Sequence, residues 1–341
     1  MKKNLSGVRL LFTILALCVV ATVGANVALM QQGEQPTTEI PLGGTTSGGG
    51  LSTMSTAGAT AADQGGGPES LAFDGTYVWV TRQFRNALIR LRASDGLNSG
   101  SFAVGSLPVA LLAAGGNVWV ANLDSDNVMK LRASDGARLG TYTVTGGPGG
   151  LAFDGTNIWV ANRNSNRVTK LRANSGAVMG TFAVGQRPVG IATLGGNVWV
   201  ANNRDDTVTR LRASDGVILG TYAVGDGPFG VASDGVNIWV TNFFSGTVTK
   251  LRGTDGAVLG TFEVGHDPAG ISFDGTSLWI ANSGQNTVMR LSTNGGIIAT
   301  YRTGKNPFGV IFDGTNVWSA NFGSDSVSTS NTAVGVLPAG Q

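Results

Sequence analysis

Three kinds of residue are scarce in this chain. Cysteine occurs once, as Cys18, histidine once, as His266, and only 13% of the 341 residues are charged. Cys18 lies in an apolar stretch near the start, so the remainder must hold itself together by burial instead of cross-links. A single histidine excludes the multi-histidine constellations of zinc sites and most acid–base machinery. Phosphate loops, nucleophile elbows, His-Glu-x-x-His and paired-cysteine motifs are absent as well. The charge balance adds to these exclusions. Removing Lys2, Lys3 and Arg9 leaves 20 basic residues against 21 acidic ones, without the basic excess that nucleic-acid binding ordinarily shows.

Glycine, in contrast, is abundant at 53 residues, which favours many short elements joined by tight turns over long helices. The amino-terminal residues 1–30 read as an address. A basic leader runs to Arg9, and Leu10 to Leu29 forms an apolar run of an export signal, with small residues for cleavage at Val23-Gly24-Ala25. Left uncut, the run is long enough to serve as a membrane anchor. Leu15-Ala16-Leu17-Cys18 departs from a lipoprotein box at the bulky Leu17. Residues 31–66 are rich in Gly, Ser and Thr and read as a flexible tether. Residues 67–341 carry the fold.

That last region repeats. All seven tryptophans, Trp79, Trp119, Trp159, Trp199, Trp239, Trp279 and Trp318, fall at intervals of 40 residues, with 39 for the last. A clear copy reads Pro148-Gly-Gly-Leu-Ala-Phe-Asp-Gly-Thr-Asn-Ile-Trp-Val-Ala-Asn162, then Arg167-Val-Thr-Lys-Leu-Arg172, then Gly180-Thr-Phe-Ala-Val-Gly185. Each apolar run is four to six residues long and bounded by Gly, Asp, Asn or Pro, which predicts four short strands per copy and no helix. In the fourth copy these are a, Gly190–Thr193; b, Asn197–Asn202; c, Thr207–Arg212; and d, Leu219–Val224. Seven such copies predict an all-β fold, a seven-bladed β-propeller of four-stranded antiparallel blades. Ile158 and Val160 are expected to face one neighbouring blade and Trp159 the other. The seventh copy lacks the d-strand signature, so part of Ser52–Ala62 is expected to supply the closing strand, with the carboxy-terminal tail as the competing donor.

Trp239-Val240-Thr241-Asn242, the variants ending in Ala-Asn, and the linker Val184-Gly185-x-x-Pro188-x-Gly190 resemble the YVTN and NHL-like repeat propellers of bacteria. The resemblance covers residues 67 to about 331. It implies a ring of blades, usually exported and used for binding. The streptogramin B lyases and gluconolactonase-type hydrolases look like more distant relatives in architecture, which does not transfer function.

Antiparallel order places the a–b and c–d turns on one face of the ring and the b–c and d–a loops on the other. The first set repeats almost verbatim, whereas the second varies and carries the candidate binding residues Arg163, Arg187, Arg204, Phe229, Phe243, Phe244, His266, Asp267 and Phe322. The same face holds Arg82, Phe84, Arg85, Arg167, Asp205, Asp226, Lys305 and Phe308. Aromatics and arginines carry most binding energy at interfaces; ordinary solvated loop tips are the competing reading. Phe243 and Phe244 beside Phe229 and Phe322 make the leading patch. The Asp-Gly aspartates Asp74, Asp154, Asp234, Asp274 and Asp313 read as turn residues. The bases of strand c, Lys130, Arg132, Lys170, Arg172, Arg210, Arg212, Lys250 and Arg252, are expected to spread around the ring and meet Asp135, Asp215 or Asp255.

The expected function is an extracytoplasmic binding scaffold, monomeric, taking a protein, peptide or glycan but no nucleic acid, and touching a membrane only through an uncut leader. No cofactor is expected. The alternative is a metal-assisted lyase or lactone hydrolase. It would use Glu69, His266 and an oxygen-rich ring of Asn122, Asn162, Asn202, Asn242, Asn282 and Asn321 suited to Ca²⁺ or another divalent ion. A purely architectural spacer of near-identical blades is the third possibility.

Overall fold

A computed structural model describes residues 55–57 and 67–331; the leader, the rest of the tether and residues 332–341 lie outside the described residues. The described residues form seven four-stranded antiparallel sheets, one per tryptophan, numbered here as blades 1 to 7 in chain order. Among them there is no α-helix, only short 3-10 turns in some b–c loops. None of these helices is long and apolar enough to cross a membrane.

Blade 4 shows the plan, with strands Pro188–Leu194, Asn197–Asn202, Thr207–Arg212 and Ile218–Ala223. Strands b and c start and stop where the sequence places them. Strand a begins two residues earlier, at the proline, because a bulge between Pro188 and Ile191 lets the chain join the sheet before pairing becomes regular. Strand d lies one residue earlier. Strand b is buried along nearly its whole length because blades cover both its faces, whereas strand d alternates at the outer edge.

Each blade junction contains one apolar cluster. Trp159 packs with Val198, Val200 and Leu211 of blade 4, while Ile158 and Val160 pack with Trp119 of blade 2. The seventh cluster joins Trp318 to Val78, Val80 and Leu91 of blade 1, so the wheel is closed. The tryptophans are almost entirely buried, and truncating one to Ala should cost about 3–5 kcal/mol.

Two further contacts at the junctions go beyond the sequence reading. The first concerns the bases opposite the tryptophans. Lys130, Lys170, Arg210 and Lys250 do not meet the acidic residues expected for them. Each pairs across strands with the tryptophan of its own blade, places its charge 4.9–5.3 Å from the ring, and reaches a backbone carbonyl in the next blade. A cation over an indole face that also satisfies a carbonyl is a clamp between blades. The acidic partners belong instead to the next bases along, as in Arg132–Asp135, Arg212–Asp215 and Arg252–Asp255, where both side chains are half-exposed and contribute little.

The second contact concerns the turn aspartates. Asp74, Asp154, Asp234, Asp274 and Asp313 do cap their turns by accepting backbone N–H groups, but the other carboxylate oxygen accepts the tryptophan Nε1–H at 2.6–2.8 Å. Blade 4 has Leu194 at this position, and the buried Trp199 Nε1 has no acceptor among the described residues.

Closure of the wheel uses both ends of the described chain. Strands a, b and c of blade 7 come from Pro307–Phe312, Asn316–Asn321 and Ser326–Asn331. The fourth, outer strand is Ser55–Ala57, which pairs antiparallel with the last of these.

Candidate functional site

The a strands surround the axis of the wheel, and both glycines of the Val-Gly-x-x-Pro-x-Gly linker are required by close approach. A Cβ on Gly190 would stand 2.0 Å from the Phe229 carbonyl oxygen of the next blade, and one on Gly185 would stand 2.6 Å from the Asn202 amide carbon. Neighbouring a strands therefore approach too closely for a larger residue at the former position. The residue after each proline, Glu69, Val109, Gly149, Val189, Phe229, Ala269 and Phe308 in blade order, sits on the b–c/d–a face, at the start of strand a in blades 2 to 7 and two residues before it in blade 1.

Phenylalanines form one side of this face. Phe84 meets Phe322 with centroids 5.7 Å apart, Phe322 meets Phe308 at 5.7 Å, Phe308 meets Phe229 at 6.1 Å, and Phe229 meets Phe243 at 6.0 Å. Phe244 completes the array edge-on to Phe243 at 5.4 Å. Six rings from blades 1, 5 and 7 thus touch in sequence. They bridge blade 6 because that blade contributes only the small, buried Ala269 and Ser283 at the equivalent positions. The array brings Phe229, Phe243, Phe244 and Phe322 together. The link between Phe322 and the other three is Phe308, whose role is set by ring-to-ring distance across a blade and not by any local motif. The outermost rings, Phe84 and Phe244, are 49% and 58% exposed, so the array ends in accessible aromatic surface.

Arginines form the other side. Arg163 lays its stem over Gly149, where any side chain would collide with its Cγ and Cδ at 2.5–2.6 Å. Its guanidinium acts electrostatically on Glu69, two blades away. Burial pushes the Glu69 carboxyl up to about 7, with Arg163 opposing the rise. Arg187 occupies the position before the proline of blade 4, where every blade has a left-handed residue: Gly67, Leu107, Gly147, Arg187, Gly227, Asp267 and Asn306. Its φ is +54° and its N–H donates to Asn166 Oδ1 at 2.9 Å. Burial, then Arg163 and Arg204, bring the Arg187 guanidinium down to about 9. The arginines of blades 3 and 4 therefore converge. They adjoin the aromatic side, because Val189 packs in one cluster with Phe229 and Asn203 Nδ2 donates to the Pro228 carbonyl at 3.2 Å.

His266 and Asp267 sit at the junction of blades 5 and 6, His266 exposed and Asp267 half-buried. Burial raises the Asp267 carboxyl, with His266 opposing. The six asparagines at the ends of the b strands are fully buried. In Asn162, Asn202 and Asn242 the amide Nδ2 donates to strand c of the same blade, and in Asn282 to the Val264 carbonyl. The amides of Asn122, Asn202, Asn242, Asn282 and Asn321 fill the spaces beneath the linker glycines, and the Oδ1 atoms of Asn122, Asn162, Asn202, Asn242 and Asn282 are buried without a hydrogen-bond partner among the described residues. Among the described residues there is no group of three or more His, Cys, Asp or Glu that could hold a metal ion.

A groove of about 390 Å³ lies on the opposite face between blades 3 and 4, lined by Asp154, Lys170, Leu194 and Ser214 among others. Its charged groups are already engaged: Asp154 with Trp159, and Lys170 with the Ala213 and Ser214 carbonyls.

No protein-family profile matches the chain, and no curated protein matches it in sequence. Solved structures do. The hydrazine synthase of Kuenenia stuttgartiensis is 18% identical with a TM-score of 0.73, over 81% of this chain and 99% of that one. The virginiamycin B lyase of Staphylococcus aureus is 21% identical with a TM-score of 0.69, over 78% and 95%. BamB from Moraxella catarrhalis is 17% identical with a TM-score of 0.57, over 77% and 84%. Proteins with such different names share this architecture, so the likeness is one of fold: the chain is a seven-bladed β-propeller, a distant structural relative of the lyase and BamB propellers.

Proposed function

We propose that the protein is an extracytoplasmic binding propeller that receives a macromolecular partner on its b–c/d–a face. The observation that carries this reading is the continuous array Phe84–Phe322–Phe308–Phe229–Phe243–Phe244, which ends in accessible rings beside converged arginines. Aromatic anchors with arginine neighbours are the composition of interface hot spots. The repeat itself does not require the array, since other blades place Val, Gly or Ala at the Phe229 position. The apolar run Leu10 to Leu29 supports export, either as a cleaved signal or as an anchor from which the residues before Ser55 tether the wheel.

The test is the double variant F243S/F244S in pull-downs. Removing two rings at about 2 kcal/mol each should reduce partner recovery by two orders of magnitude or more, with the thermal midpoint preserved. Unaltered recovery of every partner would refute the assignment of this face.

A further inference from the structure

Building on export alone and not on the docking face, we infer that the opposite rim of the wheel is a membrane-contact surface. Apolar side chains at its c–d hairpins enter the interface of a lipid bilayer, and the phenylalanine array faces away from it.

Among the described residues thirteen large apolar side chains are exposed, and they divide between the two faces. Phe84 and Phe244 end the phenylalanine array. Ten others stand in or just after the c–d turns of blades 1 to 6, where Leu97, Leu139, Met179, Leu219, Leu259 and Ile297 give one for each blade. The last, Val236, is the most exposed of all and lies in the a–b turn of blade 5, on the same side. Consecutive blades 3 to 5 supply seven of the ten, so one sector of the rim can meet a plane together. Edge strands left in water ordinarily carry lysine, proline or other charge as protection. Strand d of blades 3 and 4, Val178–Ala183 and Ile218–Ala223, carries none.

Arginines accompany these apolar groups. Strand c ends in Arg92, Arg132, Arg172, Arg212 and Arg252 in blades 1 to 5. Four of them are half-exposed and pair with the aspartate three residues on, at 2.8–3.0 Å. Arg172, whose turn has Asn174 and Ser175 instead, donates to Met179 Sδ at 3.4 Å. Apolar side chains beside long basic stems are the composition of an interfacial anchor, and the paired aspartates make apolar contact rather than net charge its driving force. The hairpins are near-identical around the rim, and a bilayer offers each of them the same surface.

The course of the chain brings a bilayer to this side. Strand c of blade 7 runs from Ser326 at the b–c loop to Asn331, and Ser55 pairs with Thr329 while Ala57 pairs with Val327. The closing strand is therefore entered from the a–b/c–d side. The 25 residues 30–54 separate it from the apolar run that ends at Leu29. A Gly-rich coil of that length averages about 25–30 Å from end to end. An uncut run thus holds the rim near the bilayer at high effective concentration, and the rim adds a second membrane contact to the leader.

The experiment is flotation with vesicles of phosphatidylcholine, with and without phosphatidylglycerol, of the chain from Asn26 onward. That is the form left by cleavage after Ala25, and it keeps every described strand. It should float with both kinds of vesicle and stay bound as salt rises. M179T/L219T/L259T replaces three exposed side chains by a good strand former, so the thermal midpoint should hold while vesicle affinity falls about tenfold or more. F243S/F244S should float as wild type does. No flotation, release by salt, equal flotation of the rim variant and wild type, or loss of flotation in F243S/F244S would each overturn the proposal. A dimer in sedimentation velocity that the rim variant abolishes would assign the rim to a second copy and overturn it as well. Partner recovery reads the docking face separately: F243S/F244S should lose it and the rim variant keep it, so failure of either reading is visible without the other.

Discussion

Replacing Asp234 by Ala removes the acceptor of one buried indole and the cap of one turn, and the two effects can be separated. Asp234 Oδ2 accepts Trp239 Nε1–H at 2.8 Å, while Oδ1 accepts the N–H groups of Val236 and Asn237 at 2.9 and 2.6 Å. Leaving the indole N–H buried without an acceptor costs about 2 kcal/mol, and losing the turn cap about 1 kcal/mol more. For a domain of this size the total of about 3 kcal/mol lowers the thermal midpoint by roughly 5 °C. The decisive measurement is a double-mutant cycle with W239F, which keeps an aromatic ring but has no N–H. In the W239F background D234A should cost only the turn share, a coupling of about 2 kcal/mol in urea unfolding followed by fluorescence of the six remaining tryptophans. Equal cost in both backgrounds would show that the aspartate acts on the turn alone, and the indole bond would lose its place in the account.

Three further outcomes are expected. The Glu69 carboxyl lies at about 7 in the fold, above its ordinary 4.5, so the folded state holds the proton longer than the unfolded one. The stability present below about pH 4.5 is lost as pH rises through 7, about 3 kcal/mol in all. E69Q should therefore raise the thermal midpoint at pH 8 and leave it unchanged near pH 4; a wild-type midpoint flat from pH 5 to 8 would refute this. Asp154, Asp234 and Asp274 behave in the opposite sense. Burial pushes their carboxyls up, but the indole and amide hydrogen bonds outweigh it and hold them below the ordinary value. Their contribution is present above about pH 4 and lost as acid protonates them, so E69Q should unfold more readily below pH 4, and an acid titration showing no such loss would count against these bonds. Finally, a chain starting at Gly67 lacks the strand Ser55–Ala57 and exposes the edge of blade 7. It should lose about 1–2 kcal/mol, read as an earlier urea midpoint, and an unchanged midpoint would mean that the strand contributes nothing.

The ring, the number of blades and the division of strand b into a tryptophan side and an aliphatic side were legible in the sequence because each follows from one short repeated pattern. The turn aspartate, five residues before its tryptophan, and the clamp base, eleven after it, are equally periodic. Their role stayed hidden because a turn residue and a surface base have sufficient local explanations; only the sheet register puts them on the indole. The face bearing the candidate site was legible from which loops vary. Its internal arrangement was not. Phe308 joins Phe322 to Phe229 across a blade, and Glu69 senses Arg163 two blades away. Contacts between copies far apart in the chain leave no trace in the spacing within one copy.

The pairing of Ser55–Ala57 with the last described strand has a consequence for how the protein reaches its finished state. A ribosome releases the first partner long before the second, so the early segment must wait for nearly the whole polypeptide before its own hydrogen bonds can form. Joining the two ends carries the largest loop-closure entropy in the molecule, which makes it a natural last step in assembly. Until that step the outer edge of the seventh sheet stands open to strands of other chains, a hazard that ends when the circle is fastened. A circular permutant joined through the present termini and cut between two other blades would make this pairing local and move the late step to the new cut.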